Sequence, residues 1–308
     1  MKSFIKRLYH SIPWVFKDRI EYYRNFRSLP NLTKPIKFTE KVLYRKKTTC
    51  ITNDNYALYA DKLRVRNYVE SKIGSAFLIP LLGTYHSVDE LKKDLYSLKK
   101  CILKPNNASG SLIFIDEGLI PVLAAEVLIT ASVWLNNDYS RHKGEFHYKK
   151  IQPVLIAEKN LAMQSKRVND YKIHMFRVKE GHVFYVLQMI EYGCVDQREG
   201  KGNTFFFVNN LFSSFGDKIK IFSADEKKAL IEALKNSEIL LGELEYARFD
   251  WYITRQGLYF GEITLTPCAG FCKGFPEELD LLMGSVWCLP DKHSNDEPDG
   301  LKQKLFVS

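Results

Sequence analysis

The sequence has few cysteines and no long apolar run, and these two shortages exclude several classes of protein. Its six cysteines are scattered along 308 residues, and only Cys268 and Cys272 lie close together. That spacing is neither a secreted disulfide framework nor a paired CxxC zinc site, so we expect inert, buried thiols. The most apolar stretch, residues 119–135, contains Pro121 and Glu126 and is shorter than the roughly 20 residues of a membrane-spanning helix. We interpret this stretch as a buried helix of a globular body.

Export signals and repeats are lacking as well. The N-terminus has no uninterrupted apolar core and no small-residue cleavage site, so we expect a protein of the reducing cytoplasm. Apolar residues make up 45% of the chain and charged residues 26%, a balance that is typical of globular proteins. From about residue 290 the sequence is polar and contains Pro and Gly, which predicts a loosely held tail.

Positive charge is concentrated at one end of the chain. The net charge is +9, yet residues 1–50 alone carry +10 and the remainder carries −1. Near the N-terminus, apolar residues at helical spacing lie beside basic ones: Phe4, Ile5, Leu8, Tyr9 and Ile12 beside Lys2, Lys6 and Arg7. This pattern is typical of a helix on an anionic membrane, and we expect such a contact within residues 1–30. An alternative of equal weight is a solvated basic face whose apolar stripe docks on the body. A nucleic-acid-binding arm is disfavoured because no nucleic-acid motif follows it.

Helix and strand signals alternate along the rest of the chain. Residues 56–72 predict a helix that Gly74 ends, and the motifs SVDE and SADE at Ser87 and Ser223 predict capped helix starts. Eight runs predict strands, at residues 101–104, 112–115, 154–158, 171–178, 183–190, 204–208, 246–252 and 258–264. Because several of these runs are joined by short turns, we expect antiparallel hairpins and an α+β fold.

A strand that ends in lysine leads into a loop of small residues. The run CILKPNNASGS places Lys104 before a loop from Asn106 to Ser111. Backbone N–H groups of such a loop can approach an anion closely, and nucleotide phosphates would suit it. An ordinary hairpin connection is the favoured alternative when the loop is considered alone, since it does not match the P-loop pattern.

Two acids oppose one another in a predicted hairpin near the C-terminal end. The run RFDWYITRQGLYFGEIT turns at about Thr254 to Gly257, which places Asp250 opposite Glu262. Opposed side chains have Cβ atoms roughly 5 Å apart, and like charges there are destabilising. A Mg²⁺ ion between the carboxylates would turn that repulsion into ligation, because hard oxygen ligands suit this cation.

Arg248 and Thr264 are predicted to flank the acid pair on the same face of the hairpin. The structural alternative to a metal site is that Arg248 neutralises Glu262 diagonally while Asp250 meets solvent. One additional residue in the turn would also reverse the register and separate the two carboxylates.

A second metal candidate is weaker. His142 and His147 lie five residues apart with Glu145 between them, and no thiol lies nearby. We favour a solvated or substrate-facing loop for this basic segment. The aromatic run at residues 204–208 is interpreted as a core strand.

Five motifs in order give the chain a family resemblance. They are ADKLRVRNYV, ILKPNNASGS, IQPVLIAEKNL, NDYKIHMF and RFDWYITRQGLYFGEITLTPCAGF. With the upstream FTEK (residues 38–41), they resemble the ATP-grasp superfamily, most closely its branch similar to the teichuronopeptide biosynthesis protein TupA. The resemblance covers about residues 35–285 and implies an ATP-grasp fold, in which two α+β subdomains clamp ATP between sheets. We divide the chain into a basic region (1–50), a subdomain with the phosphate loop (51–155), a subdomain with the magnesium site (156–288) and a tail (289–308).

The resemblance also implies a role for each matching residue. Lys62 and Lys104 resemble the two nucleotide lysines, and Lys172 a third basic contact. The phosphate-covering loop corresponds to Asn107, Ser109, Gly110 and Ser111, and the adenine or ribose hinge to Glu158, Lys159, Asn160 and Leu161. The magnesium ligands correspond to Asp250, Glu262 and Thr264, with Thr264 where many relatives have Asn. Arg248 resembles the arginine that steadies the transferred phosphate.

The activity that this resemblance implies is ATP-dependent ligation of a carboxylate to an amine through an acyl phosphate, with ATP and Mg²⁺ as cofactors. Relatives of this branch are associated with bacterial capsule, cell-wall or O-antigen polysaccharides. The implied substrates are therefore an amino acid and a hexuronic acid on a lipid or nucleotide carrier. The alternatives are a sugar kinase of the same fold and a non-catalytic basic adaptor that binds membrane or glycan. We expect no nucleic-acid partner.

Overall fold

The structure, a computed structural model, describes residues 12–116, 119–162, 168–178, 181–192 and 202–289. The amphipathic basic pattern at residues 2–9 and the polar tail from residue 290 lie outside the described residues.

Two antiparallel sheets and the helices around them make up the described part of the chain. In chain order the helices are α1 (Trp14–Phe26), α2 (Phe38–Lys47), α3 (Thr49–Thr52), α4 (Asn55–Ala60), α5 (Val65–Ile73), α6 (Val88–Asp94), α7 (Pro121–Asn136), α8 (Ser140–Lys143), α9 (Ala224–Leu241) and α10 (Glu277–Val286). The strands are β1 (Leu81–Tyr85), β2 (Cys101–Pro105), β3 (Ile113–Ile115), β4 (Leu155–Lys159), β5 (Asp170–Arg177), β6 (Val183–Glu191), β7 (Asn203–Val208), β8 (Tyr246–Thr254) and β9 (Gly257–Thr264). Short 3₁₀ segments occupy Ser75–Phe77, Phe146–Lys150 and Pro267–Gly270.

The larger sheet has five strands in the order β7-β6-β5-β8-β9. Side chains alternate between its faces, as the pleat requires. On β5, Tyr171, Ile173 and Met175 join the core beneath α9, where Leu230 and Leu240 are buried. The other face carries Lys172 and His174 before it reaches the aromatic cluster at the α2 and α10 end. One face of this sheet therefore holds the main core, and the other holds polar side chains in one part and the aromatic cluster in another.

The smaller sheet has four strands in the order β1-β4-β2-β3. Helices α6 and α7 contribute Leu91, Ala124 and Val127 to a core over this sheet. The predicted hairpin between residues 101–104 and 112–115 is confirmed, with Cys101 paired to Ile115. All eight predicted strands are present, and β1 is an additional strand.

The predicted helix at residues 56–72 is wrong in one respect, because it is two helices. Asp61 interrupts it, since its Oδ1 accepts the backbone N–H groups of Leu63 at 2.9 Å and Arg64 at 3.1 Å. An aspartate that bonds the local backbone in this way competes with helical hydrogen bonding. Gly74 ends the second helix as predicted, with a φ of +94°.

The prediction of a buried helix at residues 119–135 is also wrong in part. Helix α7 buries only its narrow Ala124, Val127 and Ala131 face against the smaller sheet. Large apolar side chains on its outer face meet solvent, and Ile129 is 67% exposed. None of the described helices combines the length and the apolar character needed to cross a membrane.

The expectation of inert thiols is wrong for the neighbouring pair. Cys268 and Cys272 form a disulfide in the turn that follows β9. Cys50 and Cys101 are buried free thiols, in line with the expectation, whereas Cys288 is an exposed free thiol. The spacing of four residues fits a tight turn that brings the two sulfurs together.

Candidate functional site

A β-bulge decides how the two acids of the β8–β9 hairpin meet. Asp250 pairs with Glu262, as predicted, but Trp251 pairs with Phe260, so Gly261 is an additional residue on β9. A Cβ at position 261 would lie 2.8 Å from the Tyr252 ring and 3.1 Å from the carbonyl oxygen of Asp250. Glycine is therefore the residue that fits this bulge. The bulge shifts the strand pairing by one residue, which places Asp250 opposite Glu262.

Asp250 is buried and bonded to two cations. Arg248 grips it through Nε to Oδ1 at 2.6 Å and Nη2 to Oδ2 at 2.8 Å. Lys172, which is the partner of Asp250 on β5, donates Nζ to Oδ2 at 2.8 Å. The alternative in which Asp250 meets solvent is therefore wrong.

Glu262 is the more accessible acid, with a side chain that is 26% exposed. Its Oε1 accepts from Arg248 at 3.2 Å and from the Thr264 hydroxyl at 3.1 Å. Its Oε2 lies 3.2 Å from Nζ of Lys62. The diagonal Arg248–Glu262 contact of the structural alternative is therefore present, together with a second cation.

The charges of the cluster stabilise one another. Burial by itself would raise the pKa of Glu262, but the positive charges of Lys62, Arg248, Lys172 and Lys104 outweigh it and hold that pKa well below its usual range. Burial would lower the pKa of Lys172 and of Arg248, yet the neighbouring Asp250 raises both. Lys62, Lys172 and Arg248 contact the two carboxylates directly, while Asp170 lies 3.4 Å from Lys172 and Glu158 lies 2.6 Å from Lys104. An incoming anion would compete with these acids for the same cations.

The predicted phosphate loop is fixed at one end and open at the other. The buried Asn106 amide donates to Oδ1 of Asp61 at 2.9 Å and accepts the backbone N–H of Val154 at 2.8 Å. Lys62 donates its Nζ to the carbonyl oxygen of Ala108 at 2.6 Å. Because Lys62 also contacts Glu262, it connects the loop to the acid pair.

Farther along the loop the backbone becomes accessible. Asn107 is buried, Ser111 is half-buried, and Ser109 and Gly110 are exposed. Tyr139 donates its hydroxyl to the carbonyl of Ser109 at 2.9 Å. Gly110 has a φ of +75° with open space where a Cβ would be, so glycine supplies the turn at the tip.

A cavity of about 400 Å³ lies beside this loop. Six of the sequence-predicted residues line it: Lys104, Gly110, Glu158, Lys159, Asn160 and Leu161. Tyr252 and Asp170 from the larger sheet complete the polar lining, and Ile79, Ile102, Leu112 and Phe114 are among its apolar walls. Cavities of this size and mixed lining are typical of cofactor sites.

Glu158 is held by two cations at the edge of that cavity. Its Oε2 lies 2.6 Å from Nζ of Lys104, and its Oε1 accepts from Arg66 at 3.1 Å. Sequence reasoning missed Arg66. Helix spacing could not have found it, because Lys62 lies in the break between α4 and α5 and shares no helix with Arg66.

The segment around His147 differs from the expected solvated loop. His147 is buried, and burial followed by the charge of Arg45 lowers its pKa to about 3. Glu145 is buried too, and its Oε1 accepts the Thr266 hydroxyl at 2.5 Å. No group of three or more His, Cys, Asp or Glu side chains within the described ranges is arranged to hold a metal ion.

Tyr148 is a further residue that sequence reasoning missed. It is buried beside the cluster, and its pKa is raised far above the usual value by burial, then by the charges of Glu145 and Glu262. The tyrosine therefore stays neutral beside the acid pair.

The donor atoms at the acid pair fit Mg²⁺. Asp250, Glu262 and Thr264 offer two carboxylates and a hydroxyl, all hard oxygen donors. This cation is commonly held by one or two carboxylates while waters and phosphate oxygens complete its coordination. Among the described residues no third His, Cys, Asp or Glu is arranged with the acid pair to hold a metal ion, so a magnesium site here would form together with a nucleotide.

Comparison with known proteins identifies the family. A family model described as TupA-like ATPgrasp matches residues 40–287, which is most of the chain. The chain therefore belongs to the TupA-like ATP-grasp family. The expected ATP-grasp fold, α+β with two antiparallel sheets, is confirmed. No curated protein matches the chain.

Solved structures provide distant similarities. D-alanine–D-alanine ligase from Helicobacter pylori is 15% identical with a TM-score of 0.46, and the match covers 75% of this chain and 62% of that one. L-amino acid ligase from Bacillus licheniformis is 11% identical with a TM-score of 0.46, covering 80% of this chain and 54% of that one. D-alanine–D-alanine ligase from Bacillus anthracis, complexed with ATP, is 14% identical with a TM-score of 0.40, covering 74% and 66%. The chain thus spans less than two thirds of the length of the first two structures.

Proposed function

We propose that this protein is an ATP-dependent ligase that joins a carboxylate to an amine through an acyl phosphate. One observation supports the proposal most strongly: Lys62, Lys172 and Arg248, from three segments of the chain, contact the opposed acids Asp250 and Glu262, and Lys104 lines the nearby cavity. A carboxylate is a poor electrophile, and transfer of the γ-phosphoryl group to it creates an intermediate that an amine attacks. The two transfers need positioning and positive charge rather than a covalent enzyme nucleophile.

The nucleotide would occupy the cavity beside the loop. Lys159, Asn160 and Leu161 line one part of it, where we place the adenine, and Lys104 would contact the phosphates. The loop Asn107, Ser109, Gly110 and Ser111 would cover them, with Lys62 joining the loop to Glu262. Because Glu158 is already bound to Lys104 and Arg66, we assign it to the orientation of Lys104 as well as to the hinge.

Arg248 and Lys172 would act where the phosphoryl group is transferred. In this structure they neutralise Asp250, and an incoming phosphate would redistribute their hydrogen bonds. A Mg²⁺ ion held by Asp250, Glu262 and Thr264 would supply further neutralisation of the phosphate charge when bound. Closure of the loop over the reacting groups would limit hydrolysis of the acyl phosphate.

For the substrates, we propose a hexuronic acid of a bacterial surface polysaccharide and an amino acid. This substrate class comes from the family resemblance. An acceptor carried on a lipid would place the reaction at the inner face of a membrane.

The test combines nucleotide binding with ADP release. We expect the protein to bind a non-hydrolysable ATP analogue in calorimetry, with tighter binding when Mg²⁺ is present. ADP release should require a hexuronic acid and an amino acid together, and mass spectrometry should detect an amide. The variant Glu262→Gln should lose the Mg²⁺ effect and about 10²–10³-fold in turnover. Glu238→Gln, on the exposed side of α9, should behave like the parent.

Other outcomes would favour the other functions. ADP release with the sugar alone and a phosphosugar product would favour a kinase. No analogue binding at all, in a folded protein, would contradict both enzymes and favour the adaptor.

A further inference from the structure

Helix α1 is attached to the body through one face only. Asp18 on that face is buried, with Oδ1 2.8 Å from Nζ of Lys46. The buried Tyr22 hydroxyl lies 3.1 Å from Oγ1 of Thr39 on α2. The Trp14 ring packs at Gly144, where a Cβ would come within 2.7 Å of it. These contacts fix the rotation of α1 about its axis, so its opposite face stays outward.

The outward face combines apolar and basic side chains. Its four large apolar residues, Val15, Phe16, Ile20 and Tyr23, are each between 41% and 58% exposed. Arg19, Arg24 and Arg27 are exposed among them. At 100° per residue, positions 15, 16, 19, 20, 23 and 24 fall within one half of the helix circumference. Arg27 follows directly after the helix as its left-handed C-cap. We call this set the α1 outer face.

Acids are scarce near that face. Of the acids of α1, Asp18 is buried against Lys46, and Glu21 bonds Arg24 at 3.0 Å. The connection that follows exposes Leu29, Lys34 and Ile36. The sequence before α1 adds Lys2, Lys6 and Arg7 and contains no acid. The charge that the α1 outer face presents is therefore almost entirely positive.

We propose that the α1 outer face docks on an anionic lipid surface. Amphipathic helices of this composition lie in the interface plane, with aromatic and aliphatic groups in the headgroup region and arginines on acidic headgroups. An apolar face without charge would equally suit a protein groove, and it is the three arginines that make anionic lipid the complementary partner. This inference does not depend on the ligase assignment, since none of these residues lines the nucleotide cavity.

The outer face of α7 provides a matched comparison within the same chain. It exposes Val122, Ile129 and Val133 to a similar or greater extent, but Glu126 is the only charged residue of that helix. Substitutions there test whether exposed apolar area alone binds lipid.

Vesicle co-sedimentation of the full chain tests the proposal. The vesicles are phosphatidylcholine alone, or phosphatidylcholine mixed with phosphatidylglycerol. We expect binding to the anionic vesicles only, weakened by salt. The charge variant Arg19→Glu with Arg24→Glu, and the apolar variant Phe16→Ser with Ile20→Ser, should each need about ten-fold more lipid for half-binding. The control Ile129→Ser with Val133→Ser should bind like the parent.

Each result has a defined meaning. Equal binding by the parent and both α1 variants would overturn the proposal, as would equal loss in the α7 control. A parent that sediments with neither vesicle would also contradict it and would favour a protein partner for this face. All variants change exposed side chains, and unchanged melting temperature and ATP-analogue binding verify that they are folded. If the protein binds the ATP analogue but not the vesicles, only the lipid proposal is contradicted. If it binds the anionic vesicles but not the analogue, only the proposed function is contradicted.

Discussion

Two buried ionic clusters in this chain have similar chemistry and different surroundings. The first, which we call the anchor cluster, consists of Arg45 with Glu245 and Lys46 with Asp18. Arg45 is fully buried, bonds the carbonyl oxygens of Leu265 and Tyr246, and lies within 4.8–5.3 Å of three aromatic ring centres. The terminal nitrogens of Arg45 bond protein oxygens, its buried Nε has no hydrogen-bond partner among the described residues, and no residue of this cluster lines the cavity beside the loop.

The second, the site cluster, consists of Lys62, Lys172, Arg248, Asp250 and Glu262. It pairs cations with acids as the first does, but its two acids oppose one another across a hairpin. None of its residues lines the cavity, yet Lys172 lies 3.4 Å from Asp170, which does. Each of the two clusters has one buried histidine beside its arginine. His147 has its pKa lowered by burial and then by Arg45, and His174 by burial and then by Arg248. Burial of ions and shifted pKa values therefore do not identify a functional site here. The opposed acids and the adjoining cavity distinguish it.

Removal of the Arg45 side chain charge should have the largest effect on stability. Arg45→Met leaves Glu245 and two buried carbonyls without their donor, and we expect a loss of about 3–5 kcal/mol in the free energy of unfolding. Urea denaturation followed by circular dichroism measures it. Arg24→Met, on the α1 outer face, should change this free energy by less than about 0.5 kcal/mol. A comparable loss in both variants would show that the anchor cluster has no special role.

Removal of the Lys104 charge should instead affect nucleotide binding. In Lys104→Met we expect the Kd for the ATP analogue to rise about ten- to a hundred-fold, since a hydrogen bond to a charged group contributes about 1.5–3 kcal/mol. The melting temperature should change far less than in Arg45→Met. Lys99→Met, on an exposed connection, is the control and should bind like the parent. Unchanged binding by the Lys104 variant would remove this residue from the proposed nucleotide site.

The buried histidines predict acid sensitivity. A histidine whose folded pKa lies below its unfolded value of about 6.5 binds its proton more readily in the unfolded chain. Its contribution to stability is present above pH 6.5 and is lost as pH falls towards the folded pKa, which is about 3 for His147. Between its unfolded and folded pKa values, each such histidine should add about 1.4 kcal/mol per pH unit to the loss of unfolding free energy.

The variant His147→Phe tests the contribution of the anchor-cluster histidine apart from that of His174. Within the described chain the Nδ1 of His147 has no hydrogen-bond partner, so the substitution breaks no bond at that atom. Between pH 6 and 4 the unfolding free energy of this variant should fall less steeply than that of the parent. Parallel curves would contradict the assignment of His147 as a buried neutral group.

The smallest effect is expected at the bulge. In Gly261→Ala the new methyl group would lie 2.8 Å from the ring of Tyr252, which lines the cavity, and 3.1 Å from the carbonyl oxygen of Asp250. We expect a cost of about 1 kcal/mol, the low end for overpacking, and a rise of a few-fold in the Kd for the ATP analogue. Gly274→Ala, where a methyl group meets no atom within 4 Å, should leave the affinity unchanged. If Gly261→Ala binds the ATP analogue like the parent, the bulge does not contribute to nucleotide binding in the cavity.

The site was partly accessible to sequence reasoning because hairpins obey simple arithmetic. The turn at Thr254 to Gly257 gives the partner of Asp250 to within one residue, and strand alternation puts Arg248 and Thr264 on the same face. The Gly261 bulge decides the strand register to the exact residue, and the turn alone does not reveal this bulge. Lys172 was named from the family resemblance, and its place opposite Asp250 depends on a pairing between strands that are far apart in sequence.

Local patterns in this sequence determined the strands, the capped helix starts and the opposed acids, because each depends on neighbours within a few residues. The break at Asp61, the burial of His147, the outward apolar face of α7 and the contrast between the two ionic clusters were decided by tertiary structure. Burial and partner choice depend on segments that are far apart in sequence, as Arg45 and Glu245 are, at a separation of 200 residues. Short-range periodicity carries no information about such distant contacts, and the three-dimensional fold supplies it.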